Sequence, residues 1–181
     1  MGNEQDRLDE SAACEVAHGH GSTGTRLGTD RTLIAAFASP VAGCLLRYAS
    51  DAGYRVVLLE PDPDAAAGAR STGYEVTGDA AKYMDAGADV VVTDHHRPEL
   101  GIVLRDALAS PARWVGIMGN PRHQGPHIEA LTDLGVAEAD IARVHRPIGL
   151  NIGSRTPPEI AIATLAGLIA DRNGRPGGFT F

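Results

Sequence analysis

From Arg31 onward, apolar and polar positions follow two different periods. TLIAAF (32–37) and YRVVLLE (54–60) are short apolar runs, and between them Val41, Cys44, Leu45 and Tyr48 recur at helical spacing until Ala52-Gly53 stops the pattern. Strand, helix and strand within about 30 residues is the size of a parallel βαβ unit. The alternation continues. Tyr74–Thr77 predicts a third strand, Asp79 caps a short helix ending at Gly87, and ADVVVTD (88–94) predicts a buried strand of β-branched residues. A helix from about Pro98 to Ala109, a strand at ARWVGIMG (112–119) and a helix around His127 to Leu134 follow. An extended segment beginning at Val144-His145 and a final helix from Thr156 to Asp171 complete the series. Continuous Val/Ile/Leu strands belong to sheets covered on both faces, and strand-helix alternation implies parallel order. The expected fold class is α/β: a single Rossmann-like, doubly wound parallel sheet with helices on both faces.

Residues 1–30 have no apolar periodicity and include HGHGSTGTRLGTD, so they read as a disordered leader. Residues 31–172 form the expected domain, and 173–181 (NGRPGGFTF) read as a C-terminal tail whose Phe179 and Phe181 could dock on the surface. A length of 181 residues suits one domain with a substantial core. The net charge of -7 argues against broad binding to nucleic acid or to an anionic membrane. No apolar run approaches the roughly 18 residues a membrane helix needs, and the polar start MGNEQDRLDE is not a signal peptide. A cytoplasmic protein is expected. Cys14 and Cys44 form no Cys-x-x-Cys pair, so no disulfide or zinc knuckle is expected, and Cys44 reads as a buried thiol. His18 and His20 lack further ligands nearby, so no metal site is predicted.

In an open parallel sheet, ligands bind outside the carboxyl ends of the strands. Five polar stretches fall there: FASPVAG (37–43), EPDPD (60–64), TDHHRPE (93–99), MGNPRHQG (118–125) and IGLNIGSRTPPE (148–159). Dinucleotide folds place glycines in the first of these turns so that backbone can approach a pyrophosphate. Here Ser39-Pro40 fits an N-cap followed by proline, which has no N–H to offer an anion, and the Ser39 hydroxyl can satisfy the N–H of Val41 or Ala42 internally. Glu60, about 20 residues on, stands where an acidic side chain binds a ribose hydroxyl; a solvated carboxylate beside a turn is the alternative. Asp94 and His95 offer a hydrogen-bond partner or proton carrier, against the alternative of loop residues in solvent. Gly119 and Asn120 let the chain bend around a ligand, and Arg122 can bind an anion bidentately. Thr156, Pro157 and Glu159 make a capping box, and Asn151, Gly153, Ser154 and Arg155 just before it make a tight polar loop.

WVGIMGNPRH (114–123) and VHRPIGLNIGSRTPPEIA (144–161) resemble elements of the XdhC/CoxI family, in particular its C-terminal Rossmann domain, over about residues 31 to 172. VVVTDHH also sits where that family has a strand ending in Thr, His and Asp. The family assists maturation of molybdenum-containing hydroxylases such as xanthine dehydrogenase, and the resemblance implies a binding chaperone for a molybdopterin-type cofactor. Where the family turn reads close to G-A-G-H-V-A, this chain has Phe37-Ala38-Ser39-Pro40-Val41-Ala42. Longer members carry a further N-terminal domain, which implies a separately encoded partner here beside the hydroxylase apo-subunit; a homodimer is also allowed.

The leading expectation is thus a maturation accessory protein that binds its cofactor without catalysis, through Ser39, Pro40, Glu60, Asp94, His95, Gly119, Asn120, Arg122, Asn151, Gly153, Ser154, Arg155 and Thr156. The alternatives are an NAD(P)-binding oxidoreductase or regulatory nucleotide-binding protein, disfavoured by the missing glycine turn, and a ligand-free module that only contacts a partner. No catalytic residue is predicted, because the chain has no nucleophile elbow, Walker lysine or metal triad.

Overall fold

Strands β1 (Thr32–Ala36), β2 (Arg55–Leu59), β3 (Glu75–Thr77), β4 (Ala88–Val92) and β5 (Trp114–Ile117) pair in parallel in the order β3-β2-β1-β4-β5. This computed structural model describes residues 31–119, 122 and 125–178; the expected leader, Cys14, Asn120, Phe179 and Phe181 lie outside the described residues. The strand order reverses at β1, which has β2 on one side and β4 on the other, making the switch point at which open α/β sheets bind ligands. Ala36 pairs with both Leu59 and Val92, so the three central strands end level and the turns after them converge.

Every residue of β1 and β4 is buried, as a sheet covered on both faces requires. Leu33 and Ala35 pack with helices α1 (Pro40–Asp51) and α6 (Pro157–Arg172), whereas Ile34 and Ala36 pack with α3 (Leu100–Ala109) and the neighbouring α4 (Pro126–Asp133). This two-residue alternation is the strand period made visible. Each fully buried Leu or Ile contributes about 1.5–3 kcal/mol.

Several local expectations change. The buried stripe of α1 is Ala42, Leu45, Leu46 and Ala49, with Cys44 a half-buried free thiol on its flank. The small Ala42 and Ala49 turn toward the sheet side, where α6 packs against α1. In place of the helix expected from Asp79 to Gly87 there is one 3-10 turn, Ala81–Tyr83. Its N-cap is Ala80, with Asp79 accepting from the Ala81 N–H (2.8 Å), and Tyr83 and Met84 are drawn into the core. Two short helices were not anticipated, α2 (Pro63–Ala69) and α5 (Glu138–Ile141). Asp62 caps α2 by accepting from the N–H groups of Asp64 (2.8 Å) and Ala65 (2.9 Å). The segment at Val144-His145 forms a single parallel bridge to Gly116, with the Trp114 and His145 rings stacked 4.8 Å apart. Residues after α6 turn back on it through the Arg175 N–H, which donates to the Ala170 carbonyl (2.8 Å), so this stretch is tied down.

At the opposite, amino-terminal end of the sheet, buried Asp89 accepts from Arg113 Nε (2.7 Å) and Arg172 Nε (2.9 Å). Burial pushes its carboxyl pKa up and the two guanidiniums oppose this. The network fastens α6 to β4 and β5, far from the ligand edge.

Candidate functional site

The first turn is closed from within. Ser39 caps α1 by accepting from the Ala42 N–H (3.0 Å), and Pro40 follows at the first helical position. The Thr93 hydroxyl faces the carbonyls of Ala36 (3.1 Å) and Phe37 (2.9 Å) and the Ser39 hydroxyl (2.9 Å). It has one proton, which goes to a carbonyl, so Ser39 donates to Thr93. The N–H of Ala38 donates to Glu60 Oε2 (2.7 Å). Glu60 Oε1 accepts from the Asp62 N–H (3.0 Å), and Arg97 grips both oxygens at 2.9 and 3.1 Å. The Glu60 side chain is fully buried by these partners. Arg97 also lies 4.9 Å over the ring of buried Phe37. Its bond to Glu60 leads the causes that raise the guanidinium pKa above its ordinary value. Phe37 adopts φ +73°, a left-handed conformation costing a side-chain-bearing residue about 1–2 kcal/mol. Phe37, Glu60 and Arg97 together form a partition at the switch point.

A cleft of about 670 Å³ opens beside this partition, on the face covered by α1 and α6. Thr93, His95, Met118 and Gly119, from the ends of β4 and β5, form one side. The loop Pro147–Ser154 forms the other, with Val41, Ile160, Ala163 and Thr164 supplied by the helices. The loop is held directly against α6. Leu150 N–H donates to the Ala163 carbonyl (3.0 Å), and a Cβ on Gly149 would lie 3.0 Å from backbone atoms of Ala163 and Thr164. Gly149 also has φ +83°, so glycine is needed there on both grounds. Among the described residues no Asp, Glu, Lys or Arg lines the cleft. The titratable group among its described lining residues, His95, has its pKa lowered by burial first and then by His96, whose ring lies 4.1 Å away.

Of the residues singled out from sequence, His95, Gly119, Asn151, Gly153 and Ser154 meet in this lining. Ser39 and Pro40 belong to the closed turn, and Glu60 to the partition. Asp94 accepts from the His96 N–H (2.9 Å) and is not part of the lining. Arg122 and Arg155 are exposed and outside the lining. Thr156 caps α6, with Glu159 accepting from the backbone N–H groups of Arg155 (2.8 Å) and Thr156 (3.1 Å). Sequence reasoning missed Arg97, Thr93 and Arg146. The Arg146 side chain passes so close to Gly119 that a Cβ there would lie 2.7 Å from its Nε. Its charge contributes to lowering the pKa of His95 and of buried His127. The available signal was position: Thr93 and Arg97 lie in a stretch already placed at the ligand edge, and Arg146 lies in the family-like stretch 144–161. Among the described residues no group of three or more His, Cys, Asp or Glu could hold a metal ion, and no helix is long and apolar enough to cross a membrane.

A parallel sheet with this strand order and a cleft at its carboxyl edge defines a Rossmann-type domain. The chain belongs to the XdhC family: the family model of the XdhC Rossmann domain matches residues 33–168. It is 36% identical over 107 residues to the uncharacterised protein YqeB of Escherichia coli strain K12, a match covering 58% of this chain and 19% of that protein. Its fold is similar to a crystal structure titled as a xanthine dehydrogenase from Bacillus halodurans, with a TM-score of 0.62 and 22% identity. That similarity covers 80% of this chain and 45% of the other. The chain therefore spans less than half the length of either relative.

Proposed function

We propose that this domain binds a molybdopterin-type cofactor in the cleft beneath the 147–154 loop. It would serve as a chaperone for maturation of a molybdenum-containing hydroxylase of the xanthine dehydrogenase type. The observation that carries this reading is the cleft itself, free of acidic residues among the described lining, about 670 Å³ in volume and walled by the polar loop, next to a first turn whose Ala38 and Ala42 N–H groups are already bonded to Glu60 and Ser39. The volume lies within the roughly 300–1,000 Å³ of small-molecule sites. The donor set also fits a pterin. Met118, Ile148 and Ile160 offer apolar contact to a flat ring, while Asn151, Ser154, His95 and the backbone at Gly119 and Gly153 offer hydrogen bonds to its polar edges. Arg122 and Arg155, on loops beside the cleft, would meet the anionic tail from outside, with Asp94 in a supporting role. The cofactor's redox chemistry belongs to the hydroxylase that receives it; this chain's residues bind, orient and shield. The apo-hydroxylase, a separately encoded partner of the XdhC N-terminal type and a second copy of this chain are the partners the reading allows.

The test is purification from a cofactor-producing host, with pterin measured by fluorescence after oxidation and molybdenum by mass spectrometry. Paired Asn151→Ala and Ser154→Ala substitutions are expected to lower retained pterin about tenfold, the loss of one to two hydrogen bonds. Absence of pterin from the wild type, together with normal hydroxylase maturation in cells lacking the chain, would overturn the reading. An NAD(P) site has less support, because the Glu60 carboxylate that would meet a ribose is gripped by Arg97 and two backbone N–H groups. Submicromolar affinity for NAD or NADP by calorimetry would reverse that judgement.

A further inference from the structure

A second pocket, of about 560 Å³, lies at the same sheet edge on the other face, between Pro61, the 78–84 segment and α3. Its lining includes an apolar surface made by Leu59, Met84, Ile102 and Val103. Ile102 is 49% exposed at its mouth, an unusual place for a large aliphatic side chain on a helix otherwise sorted by burial. Among the described residues, three carboxylates, Asp79, Glu99 and Asp106, stand in the lining, and no Lys, Arg or His does.

The carboxylate side chains here accept and do not donate. Asp79 spends one oxygen on the Ala81 N–H (2.8 Å), which leaves acceptor capacity on the carboxylate. Asp106 pairs through Oδ1 with neighbouring Arg105 (2.8 Å), a surface contact of small worth. Glu99 Oε2 is buried, with Arg97 Nε at 3.3 Å but no well-aligned hydrogen bond. The one hydroxyl, on Ser110, already donates to the Ala107 carbonyl (2.7 Å). A ligand that meets these side chains must therefore bring the donors, and an anion would face three carboxylates, with Arg97 and Arg105 compensating Glu99 and Asp106 from outside the lining.

We propose that this pocket is a second, independent small-molecule site, selective for a planar ligand with a cationic or multiply N–H-donating edge, the chemistry of an amidine or an aminopyrimidine. The flat body rests on Leu59, Met84, Ile102 and Val103, and the donor edge turns to the carboxylates. The pocket shares no lining residue with the cleft, and Phe37, Glu60 and Arg97 line neither. The site therefore stands whether or not the cleft binds a pterin.

The chain holds three methionines, of which Met84 lines this pocket and Met118 lines the cleft. Methyl NMR on ¹³C-methionine-labelled full-length protein thus reports the two sites separately. Titration with benzamidine is expected to shift the Met84 methyl saturably and to leave Met118 in place. Benzoate, the same shape with the opposite charge, is expected to bind at least tenfold more weakly. The double substitution Asp79→Asn and Asp106→Asn keeps the Asp79 acceptor for Ala81 and should weaken benzamidine at least fivefold with an unchanged thermal melt. A Met84 methyl that does not move, equal affinity for benzamidine and benzoate, or undiminished binding by the folded double variant would each overturn the proposal.

Discussion

The cleft beneath the 147–154 loop and the pocket beside α3 sit at the same edge of one sheet, on opposite faces, with volumes of about 670 and 560 Å³. Among the described residues, the first has no acidic residue in its lining and the second has three. The strands beneath them are equally apolar, so the fold sets where a ligand can sit and the loops set what it can be. Between the two stands the partition of Glu60, Arg97 and Phe37. In a dinucleotide-binding fold one ligand runs across this switch point; here the turn's own N–H, hydroxyl and carboxylate are bonded to one another.

The largest expected effect comes from breaking that partition. Glu60→Ala leaves Arg97 without its main partner and the N–H groups of Ala38 and Asp62 unsatisfied. A loss of about 3–5 kcal/mol is expected, as for other broken buried ion pairs, read by urea unfolding. Both methionine methyls should shift in the variant. A loss below about 1 kcal/mol would mean that the partition is a surface contact in effect.

A narrower change acts on the cleft alone. Gly149→Ala places a Cβ against the α6 backbone in a left-handed conformation and should cost more than about 1 kcal/mol. The Met118 methyl should move while Met84 stays. Movement of both would show that the two faces are mechanically coupled.

The smallest effect is electrostatic. His95 and His127 both have pKa values lowered in the folded state, by burial first, so the unfolded chain binds protons that the folded chain resists. Their contribution is full above the ordinary histidine value of about 6.5 and is lost as pH falls below it. Stability measured from pH 8 to pH 5.5 should decline on the acid side, and His95→Asn should flatten that decline. An unchanged slope would place His95 in solvent and make the cleft a less enclosed site.

Much of this architecture was legible along the chain because its causes are local. Ser39-Pro40 and Thr156-Pro157 announce helix starts within four residues, and both caps form as their chemistry requires. Five of the residues singled out from the polar loops meet in the cleft: His95 and Gly119 follow β4 and β5, which end level, and Asn151, Gly153 and Ser154 belong to the loop held against α6. The expected helix at 79–87 failed because its apolar positions, Tyr83 and Met84, answer to the core and not to a helical face. Arg97 was passed over because nothing near it in sequence names Glu60 as its partner, 37 residues away.

By itself the sequence determined the alternation of elements, their caps and the parallel, two-sided sheet, since these follow from hydrophobic period and from hydrogen bonds within a few residues. It also carried the motifs of the XdhC family. Only the tertiary structure decided how the carboxyl edge is divided. Parallel register brings Ala36, Leu59 and Val92 level, so that Phe37, Glu60 and Arg97 meet across strands, and the two faces of one pleated sheet send the remaining loops apart. A contact between residues distant in sequence depends on register and crossover, and no local pattern encodes either.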